Sequence, residues 1–418
     1  MRNKVQSLQD KLSCAAKHSL SRRFGALYDK IYRSDMLYEA YKRVRANKGA
    51  AGLDQMSFEE IEKEIGLVSF LKGIQEELRT NEYRPKAVLR CWIEKPGKTE
   101  KRPLGIPTIK DRVIQMAAKL VLEPIFETNF RDCSYGFRPN RSAHGAMRRL
   151  RQAITFKEQR TIIDVDIKGY FDTISHDLLM QLLQRRISDK RVLKLIWSWL
   201  KAGVMEEGEF VKSKEIGSPQ GSVISPLLSN IYLHSFDVMF ERSGIKGILI
   251  RYADDIRIAL PSTSDGKREL EEVGKMLKKL KLTLHPEKTR IVKAEEGVDF
   301  LGSHFRYCER DTREGKRKRT MVWPSRSAIK NLKAKVKETI GRRYSLSLKE
   351  MIEKLNPILK GWSNYHRVIP PPRGRLLTLN RFVKERLRIF LKRKYSDETR
   401  GTRRISEIVK LGLFQFVI

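Results

Sequence analysis

The chain has 418 residues, 40% of them hydrophobic, which suits two or three domains with a sizeable core and excludes a disordered chain. Its net charge of +36 points to polyanionic partners, nucleic acid first, because phosphates release counterions when Lys and Arg replace them. No apolar run approaches the roughly 18 residues of a spanning helix, there is no secretory leader pattern, and Cys14, Cys91, Cys133 and Cys308 lack the paired spacing of a zinc site or disulfide framework, which fits a reducing intracellular setting.

The first 24 residues are basic, with Asp10 as their one acid, a faint transit-peptide character. Val5, Leu8 and Leu12 at helical spacing predict an amphipathic first helix instead. "DMLYEAYKRVRAN" puts Leu37, Tyr41 and Val44 on one helical face, and the glycine-punctuated loop "NKGAAGLDQ" follows. "SFEEIEKEIGLVSFLKGIQEELRTN" reads as further helix, opened by a capping box of Ser57 and Glu60. "YRPKAVLRCWIEKPGKTEKRPLGIPT" alternates like strands joined by a Gly- and Lys-rich turn. "IKDRVIQMAAKLVLEPIFE" returns to helical spacing through Val113, Ala117, Leu120 and Val121. In "RTIIDVDIKGYFDTISHDLLMQLLQRRI" a buried strand runs into a helix, with Asp172 or Ser175 as its candidate N-cap.

"ILIRYADDIRIAL" reads as two apolar strands around a turn, and an amphipathic helix spans about Lys267 to Leu280. After "VDFLGSHF" a very basic turn, "REGKRKR", is expected, then helices to the end with a Pro-rich break at "IPPPRGR". Residues 303–418 hold 31 basic and 10 acidic residues, a balance of +21, against +15 for residues 1–302. That asymmetry marks a C-terminal module dedicated to a polyanion. Within it Trp362, Tyr365 and Tyr395 interleave with Lys and Arg, as base-stacking residues do. The helical spacing of Trp362, Phe382, Leu387 and Leu391 favours a bundle core, with the basic residues outside.

Two acidic segments carry the chemistry. Asp164 and Asp166 share one face of an apolar strand, and Asp254 and Asp255 sit side by side between two others. Such carboxylates are costly to bury unless paired or metal-bound. Each segment alone is more simply a solvated turn or a helix cap. Together, about 90 residues apart in a strongly basic chain, they converge on divalent cations if strand and hairpin are neighbours in one sheet. Carboxylate donors suit magnesium or manganese, and two such ions about 4 Å apart clamp the oxygens of an in-line phosphoryl displacement.

The blocks "DIKGYFD", "SPQGSVISPLLSNIYL", "RYADD", "LTLHPEKT" and "FLGSHF", in that order, resemble the reverse transcriptases encoded by group II introns, also called maturases. "NKGAAGLDQMSF", "EKPGKTEKRPLGIPTIKDRVIQ", "SYGFRPNRSAHGAM", "LNPILKGWSNYHR" and "FVKERLRIFLKRK" extend the likeness over about residues 35–415. The resemblance implies an α+β right-hand polymerase, with fingers, a palm of antiparallel sheet and packed helices, and an α-helical thumb or maturase X domain. Its divisions would be an N-terminal extension and start of fingers at 1–85, fingers at 86–165, palm at 166–305 and basic helical thumb at 306–418.

It further implies that Asp166 and Asp254 hold two Mg2+ ions (or Mn2+), with Asp255 in a lesser role. Asp164 is no ligand in this family and ranks below them. Lys288 would protonate the leaving pyrophosphate. Lys95 and Arg102, or Lys101 in its place, would grip the triphosphate. Phe171 would stack under the sugar and exclude a 2′-hydroxyl. Gln220 and Gly221 would meet the nucleotide or primer–template end, and Leu301 and Gly302 would form the primer grip. Lys316, Arg317, Lys318 and Arg319 would bind RNA. The implied partners are group II intron RNA, an RNA template with a DNA primer and deoxynucleoside triphosphates, with no membrane, in a bacterial cytoplasm at the nucleoid.

Two other functions compete. A non-catalytic RNA-binding splicing factor is disfavoured by the intact Asp166, Asp254 and Asp255, and a domesticated or defence-linked reverse transcriptase would have lost its intron. The chain stops at "LGLFQFVI" with no Cys or His cluster, so either it is truncated or a DNA-binding and endonuclease segment is absent.

Overall fold

A computed structural model describes residues 4–94, 101–206, 209–211, 216–217, 221–312, 315–341, 345–367, 373–395 and 407–416. The chain opens with helices α1 (Lys4–His18), α2 (Tyr28–Ile31), α3 (Ser34–Ala46), α4 (Phe58–Glu60) and α5 (Leu67–Arg79). Val5 and Leu12 of α1 and Leu37, Tyr41 and Val44 of α3 are buried, as their spacing predicts. The capping box of Ser57 and Glu60 is present. The further helix expected there is present, with one interruption. One π-helical turn (Ile61–Ile65) follows α4, and Gly66, at φ +81°, breaks the run before α5.

Strands β1 (Val88–Glu94) and β2 (Lys101–Ile106) come next, then α6 (Ile109–Glu127) and α7 (Ala143–Phe156). Helix α6 is buried on most sides, through Val113, Ile114, Ala117, Ala118 and Val121, and forms the pillar of the largest core cluster. Beyond lie β3 (Thr161–Val165), α8 (Tyr170–Thr173), α9 (His176–Gln184), α10 (Lys190–Lys201), β4 (Val204–Glu206), β5 (Glu209–Val211) and α11 (Ser225–Arg242). Ser175 stands at the N-cap of α9 without a side-chain capping bond, and Asp172 lies in α8. Next are β6 (Ile248–Tyr252), β7 (Asp255–Leu260), α12 (Gly266–Lys279), β8 (Arg290–Lys293), β9 (Val298–Phe300), β10 (Ser303–Thr312) and β11 (Gly315–Pro324). The chain then continues through α13 (Arg326–Ile340), α14 (Leu348–His366), α15 (Arg373–Tyr395) and α16 (Glu407–Lys410). No described helix is long and apolar enough to cross a membrane.

The described residues form three sheets, ordered β2-β1-β4-β5, β6-β7-β3-β8 and β11-β10-β9. The second sheet is antiparallel throughout and positions the acids. On β7, Ile256, Ile258 and Leu260 enter the main core, while Ala259 faces a second cluster shared with α7. Burying each large aliphatic side chain contributes about 1.5–3 kcal/mol, so slipping the register by one residue is prohibitive.

The basic stretch 313–319 is largely strand, and its residues 313–314 lie outside the described residues. Residues 315–319 belong to β11, which pairs with β10 over ten registers from Ser303↔Pro324 to Thr312↔Gly315. Phe305, Tyr307 and Val322 of this hairpin join the α7 cluster, and the C-terminal run of helices begins at Arg326. That module has its own core, including Leu355, Leu359, Leu387, Phe390, Leu391 and Phe416. Of the Pro-rich break "IPPPRGR" at 369–375, residues 369–372 lie outside the described residues, and Arg373 opens α15.

Candidate active site

Strands β6 and β7 pair up to Tyr252↔Asp255, which leaves Ala253 and Asp254 as a two-residue hairpin loop. Ala253 sits at φ +55° and is buried, so the turn needs support from outside. Arg251, wholly buried, provides it. Its guanidinium donates to both carboxylate oxygens of buried Asp237, at 2.8 and 2.6 Å, to Asn230 Oδ1 at 3.1 Å and to the Ala253 carbonyl at 3.0 Å. Asn230 Nδ2 in turn donates to the Gly136 carbonyl at 2.8 Å. A Cβ on Gly136 would fall 2.4 Å from the Ala253 nitrogen, so only glycine lets that segment close over the turn.

The second acidic segment lies two strands away from β6. Asp164 on β3 is directly opposite Arg257 on β7 and Arg290 on β8. Arg257 Nη1 is 2.8 Å from Asp164 Oδ1, and Arg290 Nε is 3.1 Å from Oδ2. Asp164 is therefore an ion-paired strand residue, which accounts for its buried charge without a metal. Asp166 lies past the end of β3, and its backbone is fixed by an N–H from His285 to its carbonyl at 2.8 Å. Among the described residues no donor engages its carboxylate.

Asp164, Asp166, Asp254, Asp255 and Glu287 line one cavity of about 420 Å³ together with Arg257, Lys288 and Arg290. Five acids against three cations leave it acidic inside a strongly basic chain. Asp255 Oδ1 accepts from Arg257 at 2.6 Å. Burial pushes the Asp255 carboxyl up; Arg257 opposes this, and the negative charges of Asp164 and Asp254 add to it. A cation in the cavity would relieve that repulsion. Among the described residues no group of three or more Asp, Glu, His or Cys side chains forms a finished metal cage. The donor set still fits a hard divalent cation that takes one or two protein carboxylates and completes its shell with water and substrate phosphate, as magnesium does.

The other residues singled out in the sequence divide. Lys288 lines the acidic cavity. Phe171 does not. It is half-buried, edge-on to Tyr170 at 5.2 Å, and packs on the main core. Lys95 and Gln220 lie outside the described residues, as does the side chain of Arg102, whose backbone pairs with Ile93. Gly221 takes φ +109°, and a Cβ there would fall 2.6 Å from the Gly105 carbonyl, so this loop closes on β2. Leu301 and Gly302 form the turn from β9 into β10, both at positive φ. Lys316 and Arg317 are strand residues whose side chains are outside the described set; Lys318 pairs with Glu158 at 2.6 Å, and Arg319 is exposed. Trp362 packs on Phe416 and His366, as expected for a core residue.

Sequence reasoning missed Gln115, Asn230, Asp237, Arg251 and Arg257. Gln115 Oε1 accepts from Ser222 Oγ at 2.8 Å and from the Val223 N–H at 3.0 Å, anchoring the loop that carries Gly221. Asn230 and Asp237 stand seven residues apart, on one face of α11, and that spacing on an apolar helix was the available signal.

A family model described as "Reverse transcriptase (RNA-dependent DNA polymerase)" matches residues 93–305, and one described as "Group II intron, maturase-specific domain" matches residues 329–406. Protein YkfC of Escherichia coli is 34% identical over 71% of this chain and 87% of its own length. The group II intron-encoded protein LtrA of Lactococcus lactis is 30% identical over 80% of this chain. A 91 kDa protein in the cob intron of Schizosaccharomyces pombe is 28% identical over 85% of it. The match spans 66% of LtrA and 52% of the yeast protein.

Proposed function

The chain belongs to the group II intron reverse transcriptase and maturase family, whose catalytic class is RNA-directed DNA polymerase, and from that premise we propose that the cavity between β3 and the β6–β7 turn is its polymerase centre. One observation carries the proposal: Asp166 and Asp254, on separate strand ends, open into the same acidic cavity. Two Mg2+ ions, or Mn2+ in their place, would be held by Asp166, Asp254 and Asp255, and would supply phosphate charge neutralisation and a more acidic primer hydroxyl.

The remaining roles belong to this chain's own groups. Lys288, at the rim, protonates the leaving pyrophosphate. Lys95 and Arg102 hold the triphosphate, and Phe171 selects deoxyribose. Gln220 and Gly221 face the nucleotide, with Gln115 behind them. Leu301 and Gly302 hold the primer end. Arg251, Asp237 and Asn230 hold the turn that presents Asp254.

For the chain as a whole, we assign an N-terminal extension at 1–85, fingers at 86–165, palm from about 166 and a helical thumb after the β10–β11 hairpin. Lys316–Arg319 on that hairpin and the basic helical module bind intron RNA, aiding its splicing and its later copying into DNA at the nucleoid. The experiment is primer extension on an RNA template with magnesium, with deoxy- or ribonucleotides, and splicing of a group II intron RNA in parallel. Deoxynucleotide-dependent extension and accelerated splicing are expected. No extension in magnesium or manganese would reject the polymerase reading. Extension without any effect on splicing would favour an intron-free reverse transcriptase.

A further inference from the structure

The turn Leu301–Gly302 is fixed by residues distant in sequence. Leu301 takes φ +48°, a conformation that L side chains rarely adopt, and Gly302 takes φ +75°. The Ser325 N–H donates to the Gly302 carbonyl at 2.9 Å. The Leu301 carbonyl accepts from the Tyr365 hydroxyl, also at 2.9 Å, across 64 residues of sequence.

Tyr365 is itself fixed. His144 Nε2 lies 2.8 Å from the Tyr365 carbonyl, and the two rings stand 5.0 Å apart. Its helix, α14, otherwise packs in the separate C-terminal core through Leu348, Met351, Ile352, Leu355 and Leu359. Tyr365 joins the α7 and hairpin cluster instead, with His366 next to it beside Gly302. With Ser325 at the N-cap of α13, Tyr365 is where the basic module meets the turn.

We propose that Tyr365 is a positioning residue for the primer terminus: its hydroxyl fixes the Leu301 carbonyl, and so ties the turn that holds the primer to the helical module that holds RNA. This rests on the assignment of Leu301 and Gly302 to primer holding. RNA bound on α14 and its neighbours would then steady the primer end through one hydrogen bond and one packed ring.

Tyr365→Phe removes only the hydroxyl, so the ring packing and the fold remain. The lost hydrogen bond should raise the KM for primer–template about 2- to 10-fold and shorten the products made in a single binding event. The KM for deoxynucleotide and the melting temperature should stay at wild-type values, which a general packing defect would not allow. An unchanged primer KM and product length would overturn the proposal. Gly302→Val, measured alongside, separates the two layers. If it raises the primer KM while Tyr365→Phe does not, only the role of Tyr365 falls. If neither does, the primer-holding assignment of the turn falls with it.

Discussion

Asp254→Asn should abolish primer extension on an RNA template while leaving RNA affinity unchanged. The substitution keeps the size and polarity of the side chain and removes one negative charge from the acidic cavity. The hairpin loop is held through its backbone, by Arg251 at the Ala253 carbonyl and by the close approach of Gly136, and asparagine is at home in such turns. The fold therefore survives. The loss falls on cation binding, worth several kcal/mol of charge stabilisation during phosphoryl transfer, or about 10³-fold in rate. RNA binding stays because the basic surface lies elsewhere. Extension within tenfold of wild type would remove Asp254 from the centre, and it is read by single-turnover extension beside a filter-binding isotherm for the RNA.

Asp237→Asn should be the most damaging change outside the cavity. Arg251 is wholly buried, and both carboxylate oxygens of Asp237 neutralise it. An amide offers one oxygen and turns an N–H group towards the guanidinium on the other side. A buried arginine left with only neutral acceptors costs about 3–5 kcal/mol. The same guanidinium donates to Ala253, so the turn presenting Asp254 should loosen as well. A large fall in the denaturant midpoint is expected, with extension lost even in the fraction that stays folded. Replacing both partners with Arg251→Met and Asp237→Leu should recover much of the stability but not the activity, because the charge burden goes while the hold on the turn does not return. A midpoint equal to wild type for Asp237→Asn would show that the pair is not what fixes the hairpin.

What the sequence displays, and what it conceals, follows from how far each interaction reaches. Helices α1, α3 and α6 are readable because their apolar faces repeat within one or two turns. The acidic turn is readable because two adjacent carboxylates between apolar runs are anomalous. The state of Asp164 is not, since its neutralising arginines come from two other strands, one of them 126 residues further on. The shared face of Asp164 and Asp166 suggested two similar acids. Cross-strand pairing makes them different, with one ion-paired and the other past the strand end. The basic run 313–319 resembled a turn because its charged residues show no apolar alternation, and the β10 residues that pair with 315–319 are themselves mostly polar. Gly66 went unread because a glycine inside a helical pattern is usually tolerated, and only its φ of +81° makes it a break.

The central claim is that two distant segments form one metal site. It is tested most directly by replacing Mg2+ with Fe2+ and generating hydroxyl radicals at the bound ion, so that the backbone is cut where the metal sits. The account predicts cuts at both the Asp166 and the Asp254 segments, both suppressed by excess Mg2+ and both weakened by Asp254→Asn. Cuts at only one segment, or at neither, would contradict it.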